Sequence, residues 1–291
     1  MGTLRVASAK AGAWQSESSQ ERLALAVTYV LLTVGGALMF VPFAYMLSTA
    51  LKPNTQVFLF PPVWIPHPLE WDNFRLAWNV VGGRTFVNTV IFAVSIVVGQ
   101  GLVTTMGGYA FAKLRFPWRE PIFLAYLGTM MIPQQVTMIP AYIVVVKLGW
   151  QNSYPGLIVP ILASGAFGTF LFRQFFSQIP DDLSDAAVID GATHLTIFTR
   201  VFLPLSKPAL TAYGTITLLN AWNMYVWPLI IVQSKSLWVL TLALSTLQSD
   251  MGSQVNILLA AVTLSVLPLL VFYLFGQRLF VQGVTMTGIK G

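Results

Sequence analysis

The chain has no cysteine and only two histidines, His67 and His194. The first absence excludes disulfides, thiolate zinc sites and iron–sulfur clusters. The second leaves no histidine-based ligand cluster and no Ser–His–Asp arrangement to assign, and each histidine reads best as a solvated side chain. Charge is scarce too. Asp, Glu, Lys and Arg make up 9% of the 291 residues, where a soluble domain carries about a quarter. That is too little to coat a water-soluble core of this size. No G-x-x-x-x-G-K-S/T occurs, so the phosphate-cradling loop of an ATPase is missing. Together these absences argue against an enzyme and against a bound metal or cofactor. The sixteen Lys and Arg give a formal net charge of +6 but form no basic run, which argues against nucleic acid.

What the chain has instead is apolar length. It is 56% hydrophobic, with a mean hydropathy of +0.72. Six stretches contain no Asp, Glu, Lys, Arg or His: residues 23–47, 85–111, 121–146, 155–172, 208–232 and 254–276. A helix rising about 1.5 Å per residue needs roughly 20 residues to cross a hydrocarbon core of about 30 Å. The stretches do not alternate as barrel strands would. They predict an all-α membrane protein with six transmembrane helices, the fourth being the shortest. The first is longer than the apolar region of a signal peptide and is read as an uncleaved helix, although Ser48-Thr49-Ala50 offers a weak small-residue cleavage pattern.

Basic residues set the orientation. With the N-terminus inside, the inner segments hold Arg5, Lys10, Arg22, Lys113, Arg115, Arg119, Arg173, Arg200, Lys207, Arg278 and Lys290. The outer segments hold only Lys52, Arg75, Arg84, Lys147 and Lys235. This bias predicts both termini in the cytoplasm of an inner or plasma membrane protein. The division is then a tail at 1–22, a transmembrane body at 23–276 and a C-terminal tail at 277–291. Outside, residues 48–84 carry five prolines, which favours extended chain. Trp64, Trp71 and Trp78 there suit an interface belt or a partner surface. Residues 70–80 predict a short helix with Asp72 as its cap.

Residues 180–208 break the apolar pattern on the inner side. Residues 181–189 suit a helix, with Asp181 and Asp182 at its positive end. Leu183, Ala186 and Ala187 share one face. Gly191 permits the positive φ that ends the helix. A second stripe at Ile197, Phe198, Val201 and Phe202 predicts another short helix, interrupted at Leu203-Pro204, and Pro208 suits the first turn of the next span. The pattern alone fits either a cytoplasmic helix–turn–helix that docks a partner or a solvated loop with two capped turns.

The residues Pro180, Leu183, Asp185-Ala186-Ala187, Asp190-Gly191-Ala192, Phe198, Leu203-Pro204-Leu205 and Pro208 resemble the EAA loop of binding-protein-dependent ABC importer permeases. That family's pattern is close to P-x-x-L-x-E-A-A-x-x-D-G-A followed by L-P-L-x-x-P. Ala221-Trp222-Asn223 with Trp227-Pro228-Leu229, Met131-Ile132-Pro133 with Pro140, and the ending from Phe280 to Gly291 extend the likeness to the MalG-type subunits of carbohydrate importers. Asp185 departs from the family's usual Glu, keeping the charge one methylene shorter. The resemblance implies a second permease subunit, a dimer of ATPase subunits that holds ATP and Mg, and an extracytoplasmic solute-binding protein. It also implies that Leu183, Asp185, Ala186, Ala187, Asp190, Gly191 and Ala192 couple to the ATPase, and that the tail reaches the same partner through Gly288 and Lys290.

The substrate route is written in uncharged groups. Asn223, Trp222, Tyr225, Asn220 and Gln134, with Asn88, Gln135 and Trp227, suit a neutral polyhydroxylated solute, since amides bond hydroxyls and aromatic faces stack on sugar rings. Asn223 leads because Trp222 and Tyr225 flank it. Each of these residues also fits a second reading, as an amide that joins helices or an aromatic at the interface. Spans without ionisable groups disfavour a proton-driven carrier; a sodium-coupled carrier using backbone oxygens, or a purely structural anchor, is the competing class.

Overall fold

Lipid offers no hydrogen bonds, so an apolar chain in it must satisfy its own backbone and becomes helix. The computed structural model describes residues 19–250 and 254–288, and among these there is helix and no strand. In chain order, α1 is Ser19–Ala50, followed after a long loop by α2, Asp72–Val81, and α3, Gly83–Lys113. Then come α4 (Arg119–Gly128), α5 (Gln134–Lys147), α6 (Tyr154–Leu162) and α7 (Ala166–Ser177). The insert at 180–208 contributes α8 (Asp182–Ile189), α9 (His194–Ile197), a π-helical turn (Phe198–Phe202) and α10 (Leu203–Leu205). The chain closes with α11 (Lys207–Trp222), α12 (Val226–Ile231), α13 (Leu240–Asp250) and α14 (Val255–Gly288).

Three helices are long and apolar enough to cross a membrane unbroken: α1, α3 and α14. The expected third and fourth spans are bent pairs instead. The α4 segment, extended by a 3-10 turn to Met131, meets α5 at 101°, and α6 meets α7 at 46°. The first break has a sequence cause. Pro133 lacks an N–H and holds Ile132 in an extended conformation (φ −86°, ψ 117°). The expected fifth span breaks at residues 223–225, between α11 and α12. The final helix does not stop at Gly276 but runs on to Gly288. Asp72 is not a side-chain cap: it is the first residue of α2 and pairs with Arg75 at 3.3 Å.

At the centre, α3 crosses α7 and α11 with little between the backbones. A Cβ on Gly108 would lie 2.5 Å from the Phe172 Cβ and 2.9 Å from the Arg173 nitrogen. One on Gly168 would lie 2.5 Å from the Tyr213 ring and 2.7 Å from Thr104 Cγ2. Helices in lipid associate through such close packing, because apolar burial alone gives them no preference for one another.

Polar side chains hold the breaks. Gln100 Nε2 on α3 donates to Ile161 O in the last turn of α6 at 2.7 Å, while Tyr213 Oη donates to Gln100 Oε1 at 3.2 Å. One buried amide thus joins α3, α6 and α11. Asn88 Nδ2 donates to Ser236 O and Trp238 O, both at 2.9 Å, and its Oδ1 accepts from Tyr154 Oη at 2.7 Å. Trp227 Nε1 donates to Leu157 O at 3.1 Å, and Thr241 Oγ1 to Met224 O at 2.7 Å.

Gly108→Ala should destabilise the chain by about 1–3 kcal/mol, the usual cost of overpacking. The readout is the thermal midpoint of the detergent-solubilised protein. An unchanged midpoint would mean that α3 and α7 can part without loss.

Candidate coupling site

The insert is a compact helical elbow built on the C-terminal end of α3. Asp182 and Asp185 lie in the first turn of α8, where negative charge favours a helix. The helix is closed by its own backbone: Ala192 N donates to Ala187 O and Gly191 N to Val188 O, both at 2.9 Å. This is the double closure of a Schellman cap, and it requires the positive φ of +81° that Gly191 supplies. Thr193 then starts α9, its Oγ1 accepting from Thr196 N at 3.3 Å. Contrary to the expected interruption, Leu203-Pro204 is helical. The π-helical turn runs directly into α10, and the chain breaks at buried Ser206, just before Pro208 enters the first turn of α11.

Behind the elbow lies an aromatic cluster. Ile197, Phe198 and Phe202 pack with Tyr109 of α3, with Phe172 and Phe176 of α7, and with Tyr213 of α11. The Tyr109 ring centroid is 5.1 Å from that of Phe202 and 5.4 Å from that of Phe198. Ala187 and Ala192 pack against this cluster, so the predicted Leu183–Ala186–Ala187 face divides. Ala187 turns inward, while Leu183 and Ala186 stay exposed beside Val188 and Ile189, the latter 86% exposed.

Lys113, which the sequence shows only as one more inner charge, fixes the elbow to α3. Its side chain is 8% exposed. Nζ donates to Ile179 O at 2.6 Å and to Asp181 Oδ1 at 2.5 Å, and sits 5.6 Å from the Phe202 ring. The amine beside it holds the Asp181 carboxyl below the usual carboxylate range. Because that carboxylate is engaged, Asp181 makes no capping bond to α8.

Two hollows flank α8. A cleft of about 950 Å³ is bordered by Lys113, Arg115, Arg119, Asp181, Asp185 and His194. A smaller one of about 470 Å³ is bordered by Asp190, Gly191, Ala192, Thr193 and Arg200. Asp185 and Asp190 are exposed and have no ion-pair partner among the described residues. The predicted coupling residues therefore lie together in one elbow. The elbow thus carries an exposed apolar edge between two polar hollows, with carboxylates that face solvent.

The substrate candidates separate. Trp222 is 4% exposed and belongs to the main apolar core, so it does not flank Asn223 on an open surface. Asn223 is exposed at the end of α11, its Nδ2 donating to Leu219 O at 2.8 Å. Asn220, Tyr225 and Gln134 are exposed. Gly288 is the last residue of α14, and Lys290 lies outside the described residues. Among the described residues, no three His, Asp or Glu side chains gather as metal ligands.

Residues 104–286 match the family described as binding-protein-dependent transport system inner membrane component. The chain belongs to that family. Members are permease components of importers and are not themselves enzymes. An arabinooligosaccharides transport system permease protein, AraQ, from Halalkalibacterium halodurans is 34% identical over 269 residues, covering 90% of this chain and 96% of that one. The sn-glycerol-3-phosphate transport system permease protein UgpE of Pectobacterium atrosepticum is 37% identical over 265 residues, covering 88% and 94%. The same fold occurs in the crystal structure of a bacterial ABC transporter involved in the import of the acidic polysaccharide alginate. There the TM-score is 0.77, with 23% identity, over 90% of this chain and 98% of the other.

Because Asp181 has a depressed native pKa, its link to Lys113 contributes fully above the unfolded value of about 4 and is lost as pH falls through the native value. The loss should appear as faster amide exchange in residues 182–192, which Asp181→Asn should remove as a pH-dependent effect. At neutral pH, Lys113→Met should speed the same exchange by roughly five- to tenfold, the factor one hydrogen bond confers. Exchange at wild-type rates would show that the elbow stands without its clamp.

Proposed function

We propose that this chain is one permease subunit of an ATP-driven importer for a carbohydrate or related polyol. In this reading, six membrane crossings, with both termini cytoplasmic, form half of the solute path. The observation that carries it is the elbow of α8 to α10. It presents an apolar edge and unpaired Asp185 outward, and is locked by Lys113 and an aromatic cluster to α3, α7 and α11.

The mechanics rest on that geometry. An ATPase subunit receives α8 in a cleft, with Leu183, Val188 and Ile189 as apolar contacts and Asp185 and Asp190 as charge-assisted ones. When the ATPase dimer closes on ATP and Mg, it displaces the elbow. A tightly packed cluster transmits displacement rather than absorbing it. Tyr109, Phe172 and Tyr213 pass the motion to three helices that line one side of the path, and the subunit pair rocks between inward- and outward-facing states. The last residues, including Gly288 and Lys290, bear on the same ATPase. A second permease chain and lipid cover the exposed apolar length of α1, and a solute-binding protein delivers solute from outside.

Two of the relatives are named for arabinooligosaccharides and for sn-glycerol-3-phosphate, both rich in hydroxyl groups. Asn223, Asn220, Tyr225 and Gln134 supply amides and a phenol suited to such solutes. Trp222 acts from the core, holding the end of α11 in place.

The test is uptake in proteoliposomes holding the full complex. Uptake should require ATP, the ATPase and the binding protein. Asp185→Arg and Gly191→Pro should lower it by about tenfold or more, the scale of losing a desolvated charged contact, while the chain still inserts. Wild-type uptake by both variants would remove the elbow from the mechanism. Uptake by this chain alone under an ion gradient would make it a secondary carrier.

A further inference from the structure

Between Lys52 and Glu70 there is no Asp, Glu, Lys or Arg, and five of the residues are proline. This segment is nonetheless closed and ordered against α1. Glu70 N donates to Leu51 O at 2.9 Å, Gln56 Nε2 to His67 O at 2.7 Å, and Ser48 Oγ to Trp64 O at 2.6 Å. Val57 and Pro66 are buried, while its largest apolar side chains point away from the protein: Phe60 is 95% exposed, Ile65 86% and Phe58 74%. Its depth is set by Trp64, which meets Tyr45 edge to face with ring centroids 5.4 Å apart. Tyr45 lies inside the apolar run of α1, about 7 Å back along the helix from Ala50. The loop therefore does not stand up into water. It folds back beside the span that it extends.

We propose that residues 53–69 are a lipid-inserted loop, seated in the headgroup and upper acyl region of the leaflet at the C-terminal end of α1. Lipid is the occupant that fits. The loop follows a helix whose apolar side chains are mostly exposed from Leu23 to Phe43. It carries no charge that a membrane interface would reject, and it offers Trp and Phe, which favour that depth. The prolines remove N–H groups that would otherwise need partners in lipid.

The cysteine-free chain permits single-site labelling. Phe60→Cys and Ile65→Cys, each carrying an environment-sensitive fluorophore, are compared with Asp72→Cys on exposed α2 in the assembled transporter in nanodiscs. Quenching by doxyl-labelled phosphatidylcholine should be at least roughly twofold stronger at 60 and 65 than at 72, and iodide quenching correspondingly weaker, as interfacial aromatics require. Equal lipid quenching at all three sites, or stronger iodide quenching at 60 and 65, would overturn the proposal in favour of a solvated loop. Sites 60 and 65 reached by neither quencher would overturn it in favour of a protein cover.

Discussion

The structure depends on one constraint: in a membrane, every backbone polar group that leaves a helix needs a partner from within the protein. The three continuous helices meet it by themselves. The broken segments use side chains as well. Thr241 serves the carbonyl of Met224 between α11 and α12, and Gln100 and Trp227 add bonds to the Ile161 and Leu157 carbonyls of α6. The uncharged polar residues scattered through the apolar runs are thus largely structural. They let the bundle depart from straight rods, and departures from straightness make room for a path.

Much of this was legible in the sequence, for a physical reason. Helical class and the position of apolar segments follow from composition and length, which set the cost of placing each residue in lipid. The elbow was legible too, because Gly191 and the acids of α8 are local signals that act within a few residues. What was not legible depends on residues far apart. Charge-free runs conceal breaks: residues 121–146 and 208–232 are as apolar as a span, yet both are interrupted. Pro133 gave a hint at one of them; the turn at residues 223–225 had none so plain. Trp222 looked like the neighbour of Asn223, but adjacent residues on a helix face different ways, and the core takes the indole. Gly108 and Gly168 revealed their role only once α3, α7 and α11 were seen in contact.

Lys113 illustrates the same limit. As a sequence feature it adds one count to a charge tally. In the structure it is the point where a span, the start of the elbow and the aromatic cluster meet. A buried amine is costly unless its hydrogens are used, and here they are used to bind a carbonyl and a carboxylate at the start of the elbow. The elbow and α3 are therefore held as one body, whereas the segment at residues 233–238 is tied to the bundle by separate amides, Asn88 and Asn152.

The Schellman closure at Gly191 has one more consequence. Because α8 is capped by its own backbone, it holds its shape before anything docks on it. Association then spends little conformational entropy on ordering the stub, and more of the contact energy survives as affinity. In the proposed docking, such a preformed plug would stay seated through repeated cycles of opening and closing, instead of refolding at each turnover.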